Sequence, residues 1–177
     1  GQGASPEGNR PFVDKFDLES KSTERLWRSE APYYEYPIAI LDENEGVVLT
    51  RRESNNEIPN FYLRNLNSGT LKQVTHFPNP FEALKDVQKE FVKYKREDGI
   101  ELTGTLYTPP GYDKERDGEL PVLMWAYPRE FKSKDAASQV TDSPYEFIRV
   151  GWWSPILWVM AGYAVFDDFG MPIIGEG

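Results

Sequence analysis

A proline-rich segment, Phe77-Pro-Asn-Pro80, divides the chain into two parts with different sequence patterns. Before this segment, short runs that alternate apolar and polar residues are separated by polar turns, which predicts antiparallel β-structure. After it, a hairpin pattern is followed by longer apolar runs and a helical pattern, which predicts the opening of an α/β unit. We therefore predict a mixed β and α/β chain with two domains, over residues 1–80 and 81–177.

The first part contains two similar hairpin patterns, in residues 12–27 and 60–75, which begin roughly 50 residues apart. Such a spacing is typical of β-propeller repeats. Two more strands are predicted at residues 36–41 and 46–52, so that four short strands from Tyr36 to Thr75 form one plausible blade. The alternative is a small antiparallel sheet whose spacing is accidental.

The second part begins with a hairpin whose turn is Asp98-Gly99, a strong signal between alternating strands. The apolar run at residues 120–127 predicts a strand that is buried on both faces. Ser154 and Pro155 then fit the N-cap and the first position of a short buried helix. A further buried strand is predicted at residues 163–167. This order of elements is the opening of a parallel sheet with a right-handed crossover.

The composition excludes several classes of site. The chain of 177 residues has no cysteine and a single histidine, His76, so it offers no disulfide, no thiol nucleophile and no pair of imidazole ligands. We predict no metal and no cofactor. The net charge of −9 and the sequence pI near 4.7 argue against nucleic-acid binding. No apolar run approaches the roughly 18 residues of a membrane span, so no membrane partner is predicted.

Two segments of the second part resemble the prolyl oligopeptidase family of serine peptidases. They are Leu-Tyr-Thr-Pro-Pro-Gly-Tyr (106–112) and Leu-Pro-Val-Leu-Met-Trp-Ala-Tyr-Pro (120–128). Residues 4–12, 125–135 and 172–177 are more narrowly similar to the glutamyl peptidase branch, found in bacteria and plant chloroplasts. The resemblance implies the last blades of a β-propeller followed by the start of an α/β-hydrolase domain. It leaves the compartment open among bacterial periplasm, bacterial cytoplasm and chloroplast stroma.

The resemblance also implies where the catalytic residues lie along the polypeptide. In this fold the nucleophilic serine lies in a Gly-x-Ser-x-Gly turn, and the aspartate and histidine follow it. None of the ten serines of the chain lies in that pattern, so we expect the whole triad after Gly177 and no activity from the chain alone. The implied partners are a peptide substrate, cleaved after Glu or Asp, and the remaining parts of the same polypeptide. A self-contained β-rich binding module and an acyl esterase of the same fold remain alternatives.

Five residues are candidates for site roles by this resemblance. The family places a tyrosine after the third hydrolase strand as an oxyanion donor, and Tyr127 is the candidate, with Trp125 as the alternative. Arg129 and Glu130 are expected along the substrate cleft. Arg129 or Arg149 is expected to pair with the carboxylate of an acidic substrate side chain.

Two further groups have competing interpretations. Asp167-Asp168 imitates a catalytic or metal-binding carboxylate pair, but neighbouring strand residues point to opposite faces, which favours a loop-capping role. The aromatic residues Phe147, Trp152, Trp153 and Trp158 predict a core or interface cluster, or alternatively a wall of the substrate cleft.

Overall fold

The computed structural model describes residues 2–138, 140 and 142–175, and these form a mostly β structure with few and short helices. Glu176 and Gly177, which end the motif at residues 172–177, lie outside the described residues. The chain divides into two compact units. The first contains residues 2–80 and 142–147, and the second contains residues 81–138, 140 and 148–175.

The first unit contains a hairpin and a four-stranded antiparallel sheet in the order β3-β4-β5-β6. The strands are β1 (Phe12–Phe16), β2 (Thr23–Arg28), β3 (Tyr34–Asp42), β4 (Val47–Glu53), β5 (Asn60–Asn65) and β6 (Leu71–Gln73). The predicted hairpins and the predicted four consecutive strands are therefore present, each strand pairing with its neighbour in sequence.

The turn between β5 and β6 shows why the sequence folds in this way. The Asn65 carboxamide oxygen accepts hydrogen bonds from the backbone N–H groups of Asn67 and Ser68, at 3.0 and 2.8 Å. Gly69 follows in the left-handed region with φ of 74°, a conformation that glycine adopts without steric cost. The side chain and the glycine together reverse the chain.

Charged residues lie inside this first sheet. Glu35 on β3 is 2% exposed, and both of its carboxylate oxygens accept hydrogen bonds of 2.7 Å from Arg64 on β5. Arg52 on the intervening strand β4 lies 3.6 Å from the same carboxylate and stacks on the ring of Tyr33. A buried carboxylate is thus matched by two guanidinium groups, which joins three strands.

The second unit contains a four-stranded sheet in the order β7-β8-β11-β9 and a two-stranded parallel pair, β10 with β12. The strands are β7 (Gln88–Lys95), β8 (Glu101–Thr108), β9 (Val122–Trp125), β10 (Arg129–Phe131), β11 (Ala164–Asp167) and β12 (Pro172–Ile174). The helices are α1 (Lys114–Asp117), α2 (Lys134–Ala137) and two 3₁₀ helices, Glu82–Leu84 and Pro155–Ala161. Strands β9 and β11 are parallel, as the strand–helix–strand pattern predicts.

The predicted helix after Ser154 is present as the 3₁₀ helix Pro155–Ala161. The Ser154 hydroxyl accepts from the Ile156 N–H at 3.4 Å, and Gly162 ends the helix in the left-handed region. Ile156 and Val159 pack against Val165 of β11 in the larger hydrophobic cluster of this unit. Only one side of the helix is buried, since Leu157, Trp158 and Met160 are exposed.

Two predictions about burial are wrong. Strand β9 is not buried on both faces: in the described part of the chain it is the edge strand of its sheet, and Val122, Met124 and Trp125 are each more than half exposed. The aromatic residues also do not form a shared core among the described residues, which leaves an interface or a cleft wall as their interpretation. Trp152 and Trp153 are 89% and 64% exposed, while Phe147 is buried and belongs to the first unit.

Candidate functional site: a cleft at the ends of two parallel strands

The site begins where β9 and β11 end. These strands run parallel, and their last residues, Trp125 and Asp167, are partners in the register of the sheet. The backbone therefore delivers Ala126, Tyr127 and Asp168 to one edge of the sheet. In open α/β sheets the carboxyl ends of parallel strands are where ligands bind.

A cleft of about 270 Å³ opens at this edge. Three aromatic side chains line it, from Trp125, Tyr127 and Trp153. Arg149 contributes a cation, and Asp167 and Asp168 contribute two carboxyl groups. Ser154 and Pro155, at the start of the 3₁₀ helix, also line the cleft.

Packing on both faces of β11 fixes the position of Asp167. Val165 is fully buried in the larger hydrophobic cluster. On the other face, the ring of Phe166 stacks on Phe169 with 5.2 Å between centroids and lies directly over Gly104 of β8. A Cβ at Gly104 would come within 2.6 Å of the Phe166 ring, so only glycine allows this approach. The strand that carries Asp167 is therefore tightly held.

The carboxyl group of Asp167 is perturbed by its surroundings. Burial, and to a lesser extent the charge of neighbouring Asp168, raises the pKa of Asp167 above its ordinary value of 3.8. The opposing contribution is the Asp168 backbone N–H, which donates to Asp167 Oδ1 at 2.9 Å. This contact is the loop-capping role predicted for Asp167, and Asp168 takes a left-handed backbone with φ of 46°.

Arg129 binds Asp168 and does not line the cleft. Its Nη2 donates to the two carboxylate oxygens of Asp168 at 2.9 and 3.2 Å, and both side chains are about half exposed. Arg149, in contrast, is exposed and lines the cleft. The two arginines, which are equivalent candidates in the sequence, therefore differ in the structure: only Arg149 lines the cleft.

The two candidate oxyanion donors both border the cleft. Tyr127 follows β9 and is 78% exposed, and Trp125 ends the strand and is 51% exposed. No hydrogen bond of either polar side-chain group is found within the described ranges. Glu130 is exposed on β10, pairs with Ile173 of β12 in the register, and is not part of the cleft lining.

Sequence reasoning did not place Ser154 or Asp167 beside Tyr127. The signal was nevertheless available, because a parallel pairing of the two apolar runs brings the residue after each run to the same edge. Asp167 follows from that pairing, and Ser154 follows from the helix that the same pattern predicts.

The described residues contain no group of three His, Cys, Asp or Glu side chains that could hold a metal ion. Among those same residues, no helix is long and apolar enough to cross a membrane.

Comparison with known proteins identifies close relatives at the sequence level. No protein-family model matches the chain. Over its full length the chain is 47% identical to "Probable glutamyl endopeptidase, chloroplastic" from Oryza sativa subsp. japonica, of which it spans 20%. It is 45% identical to the Arabidopsis thaliana protein of the same name, of which it spans 19%. The chain thus spans about a fifth of the length of these curated relatives.

The fold is also similar to that of a solved peptidase. A post-proline cleaving enzyme from Rickettsia typhi superposes with a TM-score of 0.53 and 20% identity, over 92% of this chain and 21% of that chain. At this identity the likeness concerns the fold alone. The relatives thus confirm the resemblance to glutamyl peptidases, and the solved structure confirms that the fold is similar to that of a post-proline cleaving enzyme.

Proposed function

We propose that this chain is part of a serine peptidase of the prolyl oligopeptidase family that hydrolyses peptides after Glu or Asp. Residues 1–80 are its final propeller blades, and residues 81–177 begin its α/β-hydrolase domain. The identity of 45–47% to two proteins named glutamyl endopeptidases supports the activity. The two compact units support the domain assignment, because the chain passes from the first to the second after Pro80; the short segment 142–147 is the part of the second range that belongs to the first unit.

The observation that carries the proposal is the position of Tyr127. Tyr127 follows the carboxyl end of β9 and lines a cleft that also contains an arginine. In the reaction, the serine hydroxyl attacks the peptide carbonyl and the histidine takes its proton. The carbonyl oxygen then becomes negative, and Tyr127 donates a hydrogen bond to it. One such donor stabilises the transition state by about 3–4 kcal/mol.

The acidic substrate side chain is assigned to Arg149. A guanidinium group binds a carboxylate through two parallel hydrogen bonds, which gives both affinity and geometric selectivity. Arg149 lines the cleft, whereas Arg129 does not. Glu130 lies outside the lining and receives no role in substrate binding.

The test uses the natural full-length protein and chromogenic peptides that differ only at the cleaved position, with Glu, Asp, Pro or Lys. We expect kcat/KM to be highest for Glu and Asp. Arg149→Gln should remove most of that preference. Arg149→Lys, which keeps the positive charge but not the two parallel N–H donors of the guanidinium group, should retain part of it. Hydrolysis of acyl esters but of no peptide would favour an esterase. Loss of both activities and of labelling by a fluorophosphonate would favour a binding module.

A further inference from the structure

Three aromatic side chains, those of Trp125, Tyr127 and Trp153, line the cleft together. Aromatic groups gathered at a concave site are suited to binding, because tryptophan and tyrosine offer a large apolar area with few rotatable bonds. Tyr127 has a role in the function proposed above. The two tryptophans have none.

Two adjacent tryptophans are placed differently at this site. Trp153 lines the cleft, whereas Trp152 does not and is 89% exposed. Their rings lie 4.3 Å apart at an angle of 43°. Trp152 therefore packs beside Trp153 from outside the cleft, and Trp153 is the member of the pair that can contact a molecule within it.

The charges around the cleft indicate what kind of group these rings receive. Arg149 is positive, Asp168 is already engaged by the Arg129 guanidinium, and Asp167 is half-buried with a backbone N–H on one oxygen. This arrangement contains no concentration of negative charge that would select a cationic side chain over a neutral one. An apolar group is the occupant that the aromatic surface favours.

We propose that Trp153 and Trp125 form a subsite for an apolar side chain, aromatic in preference, that is adjacent to the acidic residue of the peptide. This inference rests on the proposed function, because it places the acidic residue against Arg149 on the same cleft. The subsite makes Trp153 a specificity-determining residue: it discriminates among peptides by a neighbouring residue and not by the one that Arg149 binds.

The experiment uses the full-length protein and peptides that keep the same acidic residue and vary the residue on each side of it among Phe, Lys and Gly. An aromatic contact of this kind changes affinity by about twofold to tenfold. We expect the unmodified protein to prefer Phe over Gly on one side by about that factor. Trp153→Ala should abolish the preference by lowering kcat/KM for the Phe peptide toward that for the Gly peptide. The matched control, Trp152→Ala, should retain the preference.

Peptide affinity, measured by calorimetry on the same variants, separates this inference from the proposed function. If no peptide is cleaved but the Phe peptide binds more tightly than the Gly peptide and loses that advantage in Trp153→Ala, the subsite stands and the peptidase assignment fails. The subsite is overturned if Trp153→Ala weakens the Phe and Gly peptides equally, or changes neither. A preference for Lys that depends on Trp153 would also overturn it, because the rings would then bind a cation.

Discussion

Arg129 on β10 and Asp168 after β11 bind each other, with one guanidinium nitrogen donating to both carboxylate oxygens at 2.9 and 3.2 Å. The contact ties the parallel pair β10–β12 to the end of the strand that carries Asp167. It therefore holds the loop at one side of the cleft and occupies an arginine that could otherwise bind substrate.

This ion pair should contribute little to stability, because both side chains are about half exposed. A double-mutant cycle with Arg129→Gln and Asp168→Asn should give a coupling free energy below about 1 kcal/mol. The coupling should approach zero in about 1 M NaCl, where the Debye length is about 3 Å. Urea unfolding of the full-length protein measures it. A coupling above about 2 kcal/mol that salt does not change would show that the pair is effectively buried.

The Glu35 carboxylate should be far more important to folding. Its removal in Glu35→Ala leaves Arg64 and Arg52, whose side chains are 15% and 16% exposed, without their shared counter-charge. Breaking a buried pair in this way costs about 3–5 kcal/mol. The matched control is Asp14→Ala, which breaks the more exposed pair with Arg25 and should cost less than about 1 kcal/mol. Equal shifts of the urea midpoint in the two variants would contradict this account.

Asp167 should make the protein less stable as pH rises, which is the reverse of the usual effect of a carboxyl group. Its native pKa is raised above 3.8, so the native state holds this proton more tightly than the unfolded state does. The free energy of unfolding therefore falls as pH rises from about 3.8 through the native pKa, and the loss is complete above it. Asp167→Asn should remove this decline, seen as a urea midpoint that depends less on pH above about 3.8.

The pKa of Asp98, in the same unit, is shifted in the opposite direction. The Arg96 guanidinium, through a side-chain hydrogen bond, holds the pKa of Asp98 at about 2. Its contribution to stability is present above about pH 3.8 and is lost as pH falls toward 2. Asp98→Asn should therefore change how the urea midpoint depends on pH below about 3.8. It should leave the pH dependence above 3.8, which is due to Asp167, unaltered. If both variants altered the same window, the assignment of the two carboxyl groups would be wrong.

The 177-residue chain should not react with serine-directed reagents when it is produced alone. None of its serines lies in a nucleophile turn, and the relatives it matches are about five times longer. A fluorophosphonate should label the full-length protein and leave this chain unlabelled, with gel fluorescence as the readout. Appreciable labelling of the chain would place an activated serine within it.

Local signals predicted most of the strands. Gly69 and Gly99 mark hairpin turns because their positive φ angles suit glycine, and Ser154 caps its helix because a hydroxyl satisfies a free backbone N–H. These features depend on neighbours in sequence, and the structure places them within a few residues of the prediction.

Burial was harder to predict, since it depends on which strand lies at an edge. The apolar run of β9 predicts a strand covered on both faces, yet Met124 is 58% exposed because β9 is the edge strand among the described residues. Similarly, nothing in the sequence distinguishes Trp152 from Trp153 or Arg129 from Arg149. The tertiary arrangement alone assigns one member of each pair to the cleft.

The value of kcat for Tyr127→Phe in the full-length protein tests the proposed function most directly. The variant keeps the ring and removes only the hydroxyl that we assign to the oxyanion. We predict that kcat for a Glu peptide falls about 100- to 1,000-fold with little change in KM, because the hydrogen bond forms in the transition state. Trp125→Phe should reduce kcat much less. An unchanged kcat in Tyr127→Phe, or a larger loss in Trp125→Phe, would contradict the assignment of Tyr127.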